Sequence, residues 1–71
     1  MLFTALIERE GNGYTALCPN LDIASQGDTV EKARDNLCEA LELFLECASP
    51  EEVKQRLQGE VFVTQVEVAV A

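Results

Sequence analysis

Seventy-one residues with 13 acidic and 5 basic side chains, no His and a net charge of −8 amount to one small, strongly acidic domain. That balance argues against direct binding to nucleic acid or an anionic membrane, since phosphate contacts call for Lys and Arg, and it favours a basic partner. A chain this short buries only a modest core, so association with copies of itself or with a partner is a natural source of further stability.

The first segment, Leu2 to Glu8, mixes β-formers with partial alternation. Phe3, Ala5 and Ile7 fall on one face, with Leu2, Thr4, Leu6 and Glu8 on the other, a pattern that predicts a strand. The apolar start lacks a basic n-region and a small-residue cleavage site, and no stretch is long enough to span a bilayer, so the expected compartment is the cytoplasm. Three Cys without an export signal fit that compartment and do not form a disulfide framework. Glu10-Gly11-Asn12-Gly13 is a strong turn signal, and Tyr14 to Cys18 runs back as the second strand of a hairpin. Pro19-Asn20 ends it. Leu21 to Gln26 is then a short third strand, antiparallel to the second.

Gly27-Asp28-Thr29 opens the longest element. Gly27 tolerates positive φ, and either Asp28 (with Glu31 at the capping-box spacing) or Thr29 can cap the helix that follows. Val30, Ala33, Leu37, Ala40, Leu41, Phe44 and Ala48 recur at intervals of three and four, the period of a one-sided helix running to Cys47. Its opposite side is informative. At about 100° per residue, Glu31, Asp35, Glu39, Glu42 and Glu46 fall within an arc of about 80°. They form a carboxylate ridge relieved only by Lys32 and Arg34, which lie off it. Like charges at i,i+4 destabilise a helix slightly, so packing must hold this one together. A solvated helix face is the bland reading of such a run.

Ser49-Pro50-Glu51-Glu52 starts a second, short helix, with Ser as cap and Pro at the first position. Val53 and Leu57 give it a narrow apolar edge, and Gly59 stops it. Val61 to Val70 is rich in Val and predicts one long strand of roughly 30 Å, with Val61 and Val63 on one face and Phe62, Val66, Val68 and Val70 on the other. The expected fold is α+β in the order β-β-β-α-(short α)-β. An antiparallel three-stranded meander carries the helix on one face, and a right-handed crossover returns the fourth strand beside the first. That leaves Leu6 and one face of the last strand apolar and wet, which points to a homodimer or higher assembly built partly from the overlong strand.

Catalytic readings are weak. Glu8, Glu39 and Glu67 can be aligned with the acidic residues of a metal-dependent, ribonuclease H-like nuclease, but nothing forces them to converge. Cys38 and Cys47 lie about 180° apart around the helix and cannot share an ion, and no His is present to activate a thiol. Gly11-Asn12-Gly13 opens no helix, and Asp28 would repel a phosphate at the start of the long one, so no nucleotide loop is expected. No cofactor, metal or catalytic residue is expected. A binding surface remains: the ridge together with Asp22 and Asp28 near its entry, an array able to imitate a nucleic-acid backbone towards a basic RNA-handling protein.

The run Cys18-Pro19-Asn20-Leu21-Asp22-Ile23-Ala24-Ser25-Gln26-Gly27-Asp28-Thr29-Val30-Glu31-Lys32-Ala33 resembles the signature of the short HicB-like antitoxins. Asn36-Leu37-Cys38-Glu39-Ala40-Leu41-Glu42-Leu43 continues it along the helix. Gly13-Tyr14 and Val61-Phe62-Val63-Thr64-Gln65-Val66-Glu67-Val68 are similar to the family as well. The resemblance implies an incomplete ribonuclease H-like domain over residues 1–71 without nuclease activity. It also implies one half of a type II toxin–antitoxin pair, whose partner is HicA, a small basic mRNA interferase. On that reading Asp22, Asp28, Glu31, Asp35, Glu39, Glu42 and Glu46 contact the toxin. Two departures stand out. Asp22-Ile23-Ala24 replaces the Pro-Gly-Cys of many members, and the sequence given carries no basic DNA-binding segment after the last strand. An orphan homo-oligomeric interaction module of the same fold is the alternative, and a carboxylate nuclease the remote one.

Overall fold

The computed structural model describes residues 1–70; Ala71 lies outside the described residues. Three strands and two helices follow in the order β1 (Leu6–Glu10), β2 (Gly13–Cys18), β3 (Ile23–Gly27), α1 (Val30–Cys47) and α2 (Pro50–Arg56). The strands form one antiparallel sheet in the order β1-β2-β3. The fold is thus α+β, with the meander and long helix that the pattern predicts.

Glu10 pairs with Gly13 across a two-residue turn in which Gly11 has φ 59°. That angle strains a side chain, so glycine occupies the position. The register sets Ile7, Ala16 and Ser25 in one row facing α1, and Leu6, Leu17 and Ala24 in a row facing away. Ala16, Cys18, Leu21, Ala33 and Leu37 are buried together, with Phe3, Ile7, Tyr14, Ile23, Leu41, Phe44 and Leu57 packed around them. α1 lies across β3 and β2 and only touches β1. The second face of the sheet is uncovered, and Leu6 and Leu17 on it remain exposed.

Both helix starts are capped by side-chain oxygens. Thr29, not Asp28, caps α1 by accepting from the Lys32 N–H at 3.1 Å, and Ser49 caps α2 by accepting from the Glu52 N–H at 3.2 Å. Each satisfies a donor that the first helical turn leaves without a partner. Gly27 is required for a reason other than positive φ. A Cβ there would meet the Ala33 amide nitrogen at 2.5 Å, so the residue lets β3 pass directly beneath the first turn of α1. Asn36 fastens the same corner, its Nδ2 donating to the Gln26 carbonyl at 2.8 Å.

Strand ends differ from expectation. β1 spans Leu6–Glu10 rather than Leu2–Glu8, because β2 ends at Cys18 and leaves nothing opposite residues 2–4. There the Thr4 N–H turns to the Asn20 Oδ1 at 3.1 Å. β3 starts at Ile23 rather than Leu21 because Asp22, with φ 54°, breaks the extended run, while Leu21 plugs the core from the turn.

The largest correction concerns the fourth strand. Residues 61–70 form no strand and are exposed throughout. A strand exists only where a neighbour supplies hydrogen bonds, and among the described residues this segment makes no main-chain hydrogen bond to the body. The radius of gyration, 14.3 Å, exceeds the roughly 11 Å expected of a compact chain of this length. The tail extends away from the body.

Candidate functional site: an acidic helix face

α1 presents the site. Ala33 and Leu37 fix one side of the helix to the sheet, with Leu41 and Phe44 continuing the contact. The opposite side faces water, and Glu31, Asp35, Glu39, Glu42 and Glu46 are all exposed. From Glu31 to Glu46 the ridge is roughly 22 Å long at the helical rise. Among the described residues the only ion pair is Arg56–Glu52 on α2, so none of the five ridge carboxylates is ion-paired. Lys32 and Arg34 project on either side of it.

The ridge also acts on its neighbour Cys38. The thiol pKa is raised above its ordinary value, first because Sγ donates to the Glu42 carboxylate at 3.4 Å and next because that carboxylate's charge disfavours the thiolate. Slight desolvation and Asp35 push the same way, against Arg34. Negative charge therefore dominates at the middle of the helix.

The structure does not bring all seven predicted residues together. Asp28 precedes the Thr29 cap, at the ridge's start, where it also borders a shallow depression lined by Glu10, Tyr14, Thr15 and Gln26. Asp22 lies at the other end of β3, separated from Asp28 by roughly 20 Å of extended chain. It is exposed on the turn whose Leu21 carbonyl accepts from the Arg56 Nη1 at 2.6 Å. That guanidinium also stacks over Phe44 at 4.8 Å, so α2 is tied to both the turn and α1. Asp22 is therefore not near the entry of the ridge.

Two residues outside the predicted site join it. Leu43 and Leu45 flank the carboxylates on opposite sides of the helix and are 61% and 37% exposed. Leucines off the apolar stripe of a one-sided helix were the available signal. The surface consequently has an acidic crest with an exposed leucine on each shoulder.

Glu8, Glu39 and Glu67 do not converge. Glu8 points from the uncovered face of the sheet, Glu39 from the outer side of α1, and Glu67 lies in the tail. Among the described residues no three His, Cys, Asp or Glu side chains are grouped as a metal would need. Cys18 is buried, while Cys38 and Cys47 are exposed and free. No helix among the described residues is long and apolar enough to cross a membrane.

No protein-family model matches the chain. No solved structure matches it. Two curated relatives do. UPF0150 protein ssr1765 of Synechocystis sp. is 50% identical over 46 residues, covering 62% of this chain and 58% of that protein. The chain thus spans little more than half of that relative's length. A UPF0150 protein of Helicobacter pylori is 36% identical over 72 residues, covering both chains completely. With a relative matched from end to end at that identity, the chain belongs to the UPF0150 family.

Proposed function

We propose that this protein is a HicB-like antitoxin, which binds a small basic mRNA interferase of the HicA type and keeps it from RNA. The observation that carries the reading is the set of five exposed carboxylates on α1, none of them ion-paired among the described residues, mounted on a helix whose back is fixed to the sheet. A net charge of −8 steers a basic protein towards this surface, and a rigid ridge holds its charges in place before the partner arrives. Once seated, the ridge occupies the basic surface an interferase uses for RNA, while Leu43 and Leu45 supply apolar contact beside it. Asp28 extends the surface at the helix start, and Asp22 is a separate contact at the far end of β3. The protein acts by occupation rather than catalysis, in the cytoplasm where its target meets mRNA. The resemblance of Ser25-Gln26-Gly27-Asp28-Thr29 and the helix after it to the HicB-like signature supports the same reading.

The exposed tail favours a second reading, a homo-oligomeric interaction module that has no toxin. Co-expression with a HicA-type interferase separates the two. An antitoxin co-purifies with the interferase and restores growth that the interferase alone arrests. Continued arrest and no co-purification would overturn the proposal in favour of the module.

A further inference from the structure

We propose that residues 61–70 form a dimerisation arm, which becomes a β-strand by pairing antiparallel with the same segment of a second copy, centred on Val66. This inference does not rest on the antitoxin reading.

The arm has the composition of a strand and lacks only a neighbour. Valines dominate it, Glu67 is its single charge, and it makes no main-chain hydrogen bond to the body. Phe62, Val66, Val68 and Val70 alternate with one exception along one side and are 82, 82, 71 and 91% exposed. A soluble protein rarely leaves such a side wet. The free edge of β1 does not take it up, since among the described residues no main-chain hydrogen bond joins the two. β1 as paired with β2 is five residues long and the arm has ten, so the strand present in the sheet matches only half of the arm. A second copy offers an edge of equal length.

The sequence also selects the register. With Val66 opposite itself, Phe62 faces Val70 and Thr64 faces Val68 on one side, while Val63 faces Ala69 and Gln65 faces Glu67 on the other. Every apolar residue then meets an apolar one or a threonine methyl, and the lone acid meets an amide. Centring on Glu67 instead sets two like charges directly opposite, which is destabilising. Centring on Gln65 sets Val63 against Glu67. The arm follows α2 in the chain, so a contact made through it does not require the acidic face of α1. On pairing, the ribbon is free to fold back onto the uncovered row Leu6, Leu17 and Ala24. That matters because an isolated pair of strands is only marginally stable.

The test uses the full chain with Cys38→Ser and Cys47→Ser, which removes the exposed thiols. Sedimentation is expected to show a dimer, and Val66→Cys in that background is expected to cross-link to itself under mild oxidation with oxidised glutathione. Opposed Cα atoms in an antiparallel pair lie within disulfide reach. Asn12→Cys, on the exposed hairpin turn, is the control and stays unlinked. Val66→Lys, which places two ammonium groups opposite each other, is expected to give a monomer with an unchanged helical circular-dichroism signal. A monomer at every concentration, cross-linking at position 66 no faster than at position 12, or a dimer that survives Val66→Lys would each overturn the proposal.

Discussion

Helix α1 and the tail over 61–70 are the two most strongly patterned stretches of the chain, and they behave as opposites. α1 closes its hydrogen bonds within itself, so it needs from the sheet only a place to bury Ala33 and Leu37. The tail carries an equally clear apolar side, but its main chain must find hydrogen bonds on another strand. Charge divides them too. α1 exposes five ridge carboxylates, whereas the tail exposes one acid among ten residues. The comparison separates two ways of offering a surface: α1 presents a face that is finished and charged, and the tail presents one that is apolar and incomplete. A partner of opposite charge suits the first, and an identical strand suits the second.

The anchoring of α1 is the part of this contrast that is easiest to break. Leu37→Ala removes the largest buried side chain of the helix and is expected to cost about 3 kcal/mol, enough to unfold much of a domain this small. Urea titration followed at 222 nm measures it. Gly27→Ala comes next. Its Cβ collides with main chain rather than with a flexible side chain, so β3 and α1 must part and roughly 2 kcal/mol is lost. Thr29→Ala removes only the cap and is expected to cost ~1 kcal/mol in the same titration, while Asp28→Ala leaves stability nearly unchanged. By contrast, polar substitutions at Phe62 or Val68 should leave the midpoint of a monomeric sample where it was, because the tail adds nothing to the core.

The smallest effect reads the field of the ridge directly. Glu42→Gln removes the charge, and weakens the acceptor, that hold the Cys38 thiol protonated. Its pKa falls, more thiolate is present at a given pH near neutrality, and alkylation by iodoacetamide is faster than in the parent chain. Added salt moves the rate in the parent the same way by screening. An unchanged rate in Glu42→Gln would mean that the ridge exerts no field at its own surface.

How far the sequence discloses this molecule follows from the same contrast. Periodicity identified α1, its apolar stripe and the five-carboxylate arc, because a helix determines its own faces. The hairpin was legible in Gly11-Asn12-Gly13, and the second helix start in Ser49-Pro50. Strand ends were less so. Where β1 begins depends on where β2 stops, and Asp22 in the left-handed region displaces the start of β3. The role of Gly27 was visible only as a permissive backbone, since close approach of Ala33 is a tertiary fact. Leu43 and Leu45 stood outside the stripe and marked the shoulders of the surface. Residues 61–70 form no strand within one chain for the clearest reason of all: a sequence can specify a strand's faces without supplying its neighbour.

The central claim is that unpaired charge on α1 captures a basic partner, and one calorimetric comparison tests it. Asp35→Lys with Glu39→Lys reverses the middle of the ridge at two exposed positions and should leave the helical signal intact. Titrated into a HicA-type interferase at low salt, the double variant is expected to bind at least about tenfold more weakly than the parent, with the gap narrowing as salt rises. Equal affinity of the two chains at low salt would contradict the account.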